Sequence, residues 1–355
     1  MHGRAASRMD YSICLATTGA GLWTSHDAGK SWRLSGCDNP RYPYELCARA
    51  VASAAAEPGA VWASIDGEHG EDVVAKSTDG GGTYAFAGVP APGRQVWALA
   101  VDPRDPGTVI AGSRPAGLYR STDGGANWSA LGTGVAEQAS IGRTRVTAIR
   151  YTDVPGEIWV SVEIGGLLHS TDGGDSWEKL HTDGGRVLLG PGEVWTDERH
   201  FDMHDVAIGQ AVDGKRAVFA ATPIGFFASQ DGGASWRCTR YPVESAYDAS
   251  LFYSRSLHVN PAEPATVLCG VGRRPPDHGS LGGINRSTDG GLTWRPVSPV
   301  LRSVVWKISA HPADPRLVVA VTLFGQVLTS ADGGEHWQQA DREFGEIRGV
   351  CITGA

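Results

Sequence analysis

Seven near-copies of one octet run through the 355-residue chain. They read SHDAGKSW from Ser25, STDGGGTY from Ser77, STDGGANW from Ser121, STDGGDSW from Ser170, SQDGGASW from Ser229, STDGGLTW from Ser287 and SADGGEHW from Ser330. Their aspartates, Asp27, Asp79, Asp123, Asp172, Asp231, Asp289 and Asp332, are spaced 43 to 59 residues apart. Counting from Asp332 to the last residue, and from the first to Asp27, adds 50 more. A fixed period of this length is the mark of a repeat architecture. A period that closes when the ends are joined points to a ring.

Each period holds four short runs that read as strands. In the third period they are QVWALAV, GTVIAGS, GLYRS and NWSAL, with the turn sequence DPRDPG between the first two. Four strands per period is the arithmetic of a propeller blade. The first period supplies only three, YSICLATTG, GLWTS and SWRLS. The missing innermost strand is EIRGVCITG at the other end, residues 346–354, and pairing it with 11–17 leaves no open edge. The expectation is one all-β domain: a seven-bladed β-propeller of four-stranded antiparallel blades, closed by the C-terminal innermost strand on the N-terminal strands. The expected blades are 346–354 with 11–36, then 46–88, 95–131, 145–180, 202–239, 253–297 and 303–340.

Composition narrows the function classes. The 48 glycines fit a chain full of tight turns. A net charge of −8 argues against a broad nucleic-acid surface. No apolar run is long enough for a membrane helix, so no membrane partner is expected. The six cysteines, Cys14, Cys37, Cys47, Cys238, Cys269 and Cys351, form no CxxC and no disulfide framework, with pairing of Cys37 and Cys47 left open. No apolar segment follows MHGRAASRMD, so the cytoplasm is the expected compartment, or secretion if a leader precedes this sequence.

The octet S-x-D-x-G-x-x-W resembles the Asp box of the BNR repeat superfamily. That group includes bacterial sialidases, xyloglucanases, sortilin-type receptors and a photosystem II assembly factor, so the resemblance implies the propeller and leaves enzyme and binding protein both open. The stretches VEIGGLLHSTDGG, FDMHD, YSRSL and REFGEIR further resemble seven-bladed bacterial proteins of sialidase-like or glycosyl-hydrolase-like type. Sialidases hold a substrate carboxylate with three arginines, but on six blades and with an Arg-Ile-Pro signature absent from this sequence. Their catalytic residues are therefore not transferred.

The octet itself reads as a scaffold. Its Asp can accept turn amides, its glycines supply positive φ, and its aromatic residue can pack between blades. Seven copies on one rim cannot all serve one site. The large insertions fall on the opposite face, around the channel, where a propeller pocket lies.

Aligning the innermost strands puts Arg49, Trp97, Thr147, His204, Arg255, Trp306 and Arg348 at one level. Arg49, Arg255 and Arg348 come from nearly adjacent blades and are candidates for holding a carboxylate, phosphate or sulfate. The competing reading pairs them with Glu45, Asp66 and Glu346. Trp97 and Trp306 either stack on a sugar or pack in the core. In RHFDMHD, strand alternation would face His200, Asp202 and His204 one way, giving a general base and acid. Glu163 ends a second strand where other blades carry Thr17, Asp66, Ser113, Thr222, Gly272 and Thr322. It is a candidate catalytic carboxylate beside Asp202, or an anchor for Arg145 or Arg150. Tyr253 is a candidate nucleophile or proton donor, or a packing residue. No cofactor is expected. A divalent metal would draw on His69, His204 or His258. His311 and Asp102 read as turn formers on the octet face.

Three functions follow. The first is a hydrolase or lyase of glycosidase-like kind acting on a small anionic or carbohydrate-like ligand. The second is a non-catalytic ligand- or protein-binding propeller. The third is a metal enzyme using channel histidines.

Overall fold

The structure is a computed structural model that describes residues 11–37, 47–67, 71–139, 142–180, 202–239, 253–273 and 281–354, with backbone alone for 187–190 and 193–195. Seven sheets stand around a central channel. Their innermost strands, in ring order from blade one, are Ile347–Gly354, Ala48–Ala52, Gln95–Val101, Arg145–Tyr151, Asp205–Gln210, Tyr253–Val259 and Val305–Ala310. From each, three more strands step outward by antiparallel pairing.

Blade one is the composite that the sequence requires. Tyr11–Thr17 pairs antiparallel with Ile347–Gly354, placing Ile13 opposite Ile352 and Cys14 opposite Cys351. Five blades are four-stranded, and two depart from that expectation. Blade two gains Gly36–Cys37, parallel to Thr83–Gly88. Blade five gains the hairpin Val187–Gly190 and Glu193–Trp195, whose first strand runs parallel to Arg237–Thr239. In both places chain leaving or entering the loops covers an outer edge that would otherwise offer unpaired amides.

The core lies between blades. Apolar clusters fill each contact between neighbours, such as Phe219 and Phe226 of blade five against Leu257 and Val271 of blade six. A middle strand such as Ile158–Glu163 is buried on both faces for this reason, and so reads as a continuous apolar run. Each large side chain buried there contributes about 1.5–3 kcal/mol.

The octet is a closed turn. In blade three Ser121 Oγ donates to Asp123 Oδ1 at 2.8 Å and accepts from Gly125 N at 2.9 Å. Asp123 also accepts Asn127 N at 2.9 Å and Asn127 Nδ2 at 2.7 Å. Trp128 Nε1 donates to Gly125 O at 2.8 Å. Gly124 and Gly125 have φ of 70° and 89°. A Cβ on Gly125 would also lie 3.0 Å from Trp62 of the preceding blade. The Ser-to-Asp bond recurs in all seven copies. Each Asp carboxylate is engaged by its own turn, which is the chemistry of a scaffold.

Candidate functional site

The residues aligned at one level in the sequence share one backbone device. The pairing of innermost with second strand skips a residue at Arg49, Trp97, Thr147, Arg255, Trp306 and Arg348. In blade five His204 N donates to Ala221 O, and Asp205 also pairs with Ala221. A bulge of this kind re-aims a side chain and is common beside active sites. Here it turns one side chain from each blade toward the channel on the long-loop face.

These side chains form a layer of arginines and tryptophans across the channel. Trp97 has the guanidinium carbons of Arg145, Arg348 and Arg49 at 4.3, 5.4 and 5.8 Å from its ring centre. Trp306 has Arg255 at 3.9 Å and Arg348 at 4.4 Å. Arg145 Nη2 donates to Glu163 Oε1 at 2.7 Å, and Arg255 Nη1 lies 3.7 Å from the same oxygen. The contacts therefore run in a circuit: Glu163, Arg145, Trp97, Arg348, Trp306, Arg255 and back to Glu163. Burial and the neighbouring guanidiniums of Arg255, Arg145 and Arg49 push Arg348 down to about 9, still charged at neutral pH. Burial and Arg255 likewise lower Arg145 to about 10. Clustered, desolvated cations of this kind favour an anion among them. Arg145 Nε and Arg255 Nη1 are buried and find no hydrogen-bond partner among the described residues.

Arg49 stands apart from this group. Its Nη1 donates to Asp66 at 2.5 Å and to Asp72 at 2.7 Å, and Asp72 also accepts Val96 N at 2.7 Å. Two carboxylates already occupy Arg49, so Arg145 takes its place beside Arg255 and Arg348. Arg348 pairs with Glu346. Both tryptophan faces are covered by guanidiniums, and Trp306 is buried, which leaves little ring for a sugar to stack on.

Glu163, Asp202 and His204 meet at one edge of the layer, their ligand atoms all within 4.8 Å of one another. Glu163 follows from its hairpin. In other blades the same position holds Thr17, Ser113 or Thr222, whose hydroxyls donate to carbonyls of their own turns. Glu163 is too long for that and reaches Arg145 directly across the register. Ile164 next to it has φ 61°, a strained value for a β-branched residue.

Asp202 and His204 precede the strand, which begins at Asp205, so strand alternation does not place them as expected from the sequence. Backbone bonds do: Met203 N donates to Val162 O and His204 N to Ala221 O. His204 Nδ1 lies 2.7 Å from Ser254 O, a partner that can only accept, so Nδ1 carries a proton. Nε2 then faces Asp202 Oδ1 at 3.6 Å. Burial would raise the Asp202 carboxyl, but the imidazolium form of His204, with Arg255 and Arg145, holds it below its ordinary value. Tyr253 is buried with its ring 4.7 Å from that of His204, and burial raises its hydroxyl pKa, the opposite of what a nucleophile needs.

Other candidates fall elsewhere. His258 lies lower in the channel, where burial and Arg150 push it down to about 4, and it is not among the groups that meet His204. Glu45, His69 and His200 lie outside the described residues. His311 and Asp102 each accept amides of their own turns. Asp72, and Arg145 as a member of the arginine cluster, escaped sequence reasoning. Arg145 sits two residues before the aligned position, so only its register with Glu163 would have flagged it.

A family model for the BNR/Asp-box repeat matches residues 119–130, which contain the third octet. The chain is a seven-bladed propeller whose third octet matches that model. No curated protein matches it. Among solved structures, the chain is similar to the GH74 xyloglucanase from Xanthomonas campestris, with 20% identity and TM-score 0.62, over 98% of this chain and 53% of that one. It therefore spans about half of that enzyme's length. The GH74 enzyme of Niastella koreensis gives 14% identity and TM-score 0.56 over 96% of this chain and 66% of that one. YCF48 bound to a D1 peptide gives 14% identity and TM-score 0.52, over 99% and 98% of the two chains. At such identities the likeness concerns the fold.

Proposed function

We propose that the long-loop mouth of the channel binds a small anionic or sugar-like molecule and acts on it as a hydrolase or lyase. The observation that carries this reading is His204, held by Ser254 O at Nδ1 and presenting Nε2 to Asp202 beside Arg255. In this reading Nε2 takes a proton, either from water in a hydrolysis or from a carbon next to a bound carboxylate in an elimination. Arg255, Arg145 and Arg348 hold the anionic group and stabilise charge as it develops. Glu163, already engaged by two guanidiniums, positions them. A conventional pair of glycosidase carboxylates is less well supported for that reason.

The test is turnover of chromogenic glycosides, uronides and small esters by the intact protein and by His204→Asn. A loss of about 100-fold or more, with ligand-induced thermal stabilisation retained, is expected of a proton-transfer group. Unchanged turnover in His204→Asn would sink the assignment. A second reading, a non-catalytic peptide-binding propeller, draws support from the near-complete mutual coverage with peptide-bound YCF48. It predicts peptide-dependent stabilisation with no turnover of any reporter.

A further inference from the structure

Beneath the arginine–tryptophan layer the channel continues toward the octet face. A cavity of about 360 Å³ runs from Trp97, Thr147 and Arg348 down to Pro103 and Pro312, in the turns after the innermost strands. A second, of about 520 Å³, adjoins it along Arg150 and Ile308 and is walled by His258. The insertions of the sequence point to the other face, so this space was not anticipated.

Its polar walls are short of acceptors. Lys307 extends from blade seven across the channel and donates to Thr147 O of blade four at 3.0 Å. That is one bond for an ammonium with three donors. His258 Nε2 is buried without a partner among the described residues. Arg150 donates Nε to Val206 O at 3.2 Å and Nη2 to Asp205 Oδ1 at 2.8 Å. Asp205, the acid of this region, is fully buried and already saturated. Oδ1 also accepts Val206 N at 2.9 Å, and Oδ2 accepts Ser256 Oγ at 3.2 Å and Leu257 N at 3.1 Å. Lys307 and Arg150, both half-buried, thus bring two cations against one occupied carboxylate, an imbalance that an anion in the cavity would relieve.

We propose that this lower channel is a second binding site, for a small oxyanion (a carboxylate or a phosphate) held by Lys307 and Arg150 with His258 as a further hydrogen-bond partner. It opens on the octet face and is separated from the first site by the arginine–tryptophan layer. Burial lowers Lys307 to about 8, with Asp205 opposing it and Arg150, Arg255 and Arg145 acting in the same direction as burial. An anion beside it would reverse that trend.

Acetate, malonate, sulfate and phosphate, titrated at constant ionic strength and pH 7 with thermal unfolding as readout, test the proposal. The proteins are the wild type, Lys307→Met, His258→Gln and Arg255→Met. We expect stabilisation by at least one anion to survive in Arg255→Met and to weaken at least tenfold in Lys307→Met, with a smaller loss in His258→Gln. Stabilisation abolished by Arg255→Met but untouched in Lys307→Met would assign all binding to the upper site and overturn the lower one. No anion response in any protein would overturn it too. Lys307→Met replaces a half-buried ammonium with an apolar chain of similar length, so the variant is expected to fold.

Discussion

Arg145 and Glu163 face each other across the first two strands of blade four, Nη2 to Oε1 at 2.7 Å. Because Arg255 shares that oxygen from blade six at 3.7 Å, one carboxylate ties together two blades that are not neighbours. Glu163→Gln keeps the shape and removes the charge. It is expected to destabilise the protein by about 1–3 kcal/mol, below the 3–5 kcal/mol of a fully buried broken pair, because Glu163 keeps 22% side-chain exposure. Urea unfolding checks this. A double-mutant cycle with Arg145→Met should return a coupling energy above about 0.5 kcal/mol.

Neutral His204 should carry its proton on Nδ1, because Ser254 O can only accept. Long-range proton–nitrogen correlation spectra of histidine-labelled protein read this directly. An Nε2–H tautomer would remove the base from the proposed mechanism.

Lys307 gives a pH signature. Its folded pKa of about 8 lies below the ordinary 10.5. Between those values the unfolded chain binds a proton that the folded chain has released, so stability rises with pH. Relative to Lys307→Met, the wild type should gain on the order of 2–3 kcal/mol from pH 8 to pH 10.5, at about 1.4 kcal/mol per unit. Parallel denaturant titrations of the two proteins measure the difference. A flat difference would show that Lys307 is not desolvated.

Cys14 and Cys351 oppose each other in the strands that close the ring and share one apolar cluster. Paired residues of an antiparallel ladder have Cα atoms about 4.5–5.5 Å apart, within disulfide range. Treatment with diamide should join the two thiols, each losing a proton and an electron as diamide is reduced to the hydrazine. Non-reducing peptide mapping should find the link, and the melting temperature should rise. Cys14→Ser should abolish both effects.

The ring was legible in the sequence because the octet is a local device whose bonds close within eight residues, so each copy announces itself. The channel level was legible too, since Arg49, Trp97, Arg255, Trp306 and Arg348 fall in one register of apolar strands. What escaped is what depends on contacts between strands that are not neighbours and between blades. That Arg49 is occupied by Asp72 rests on a residue of the third strand of its own blade. That Arg348 is flanked by Trp97 and Trp306 rests on blades three and seven meeting across the axis. The saturation of Asp205 by its neighbours, which leaves Lys307 short of acceptors, has no trace in spacing or composition.

The closing pair also orders events in time. Tyr11–Thr17 is made first among the described strands, and its inner edge waits for Ile347–Gly354, made last. At about 5–20 residues per second of synthesis, that edge stays unpaired for roughly 20 to 70 seconds. It carries Ile13 and Leu15, both almost wholly buried in the finished ring. The earlier strand of the closing pair thus carries apolar side chains that only the later one can cover.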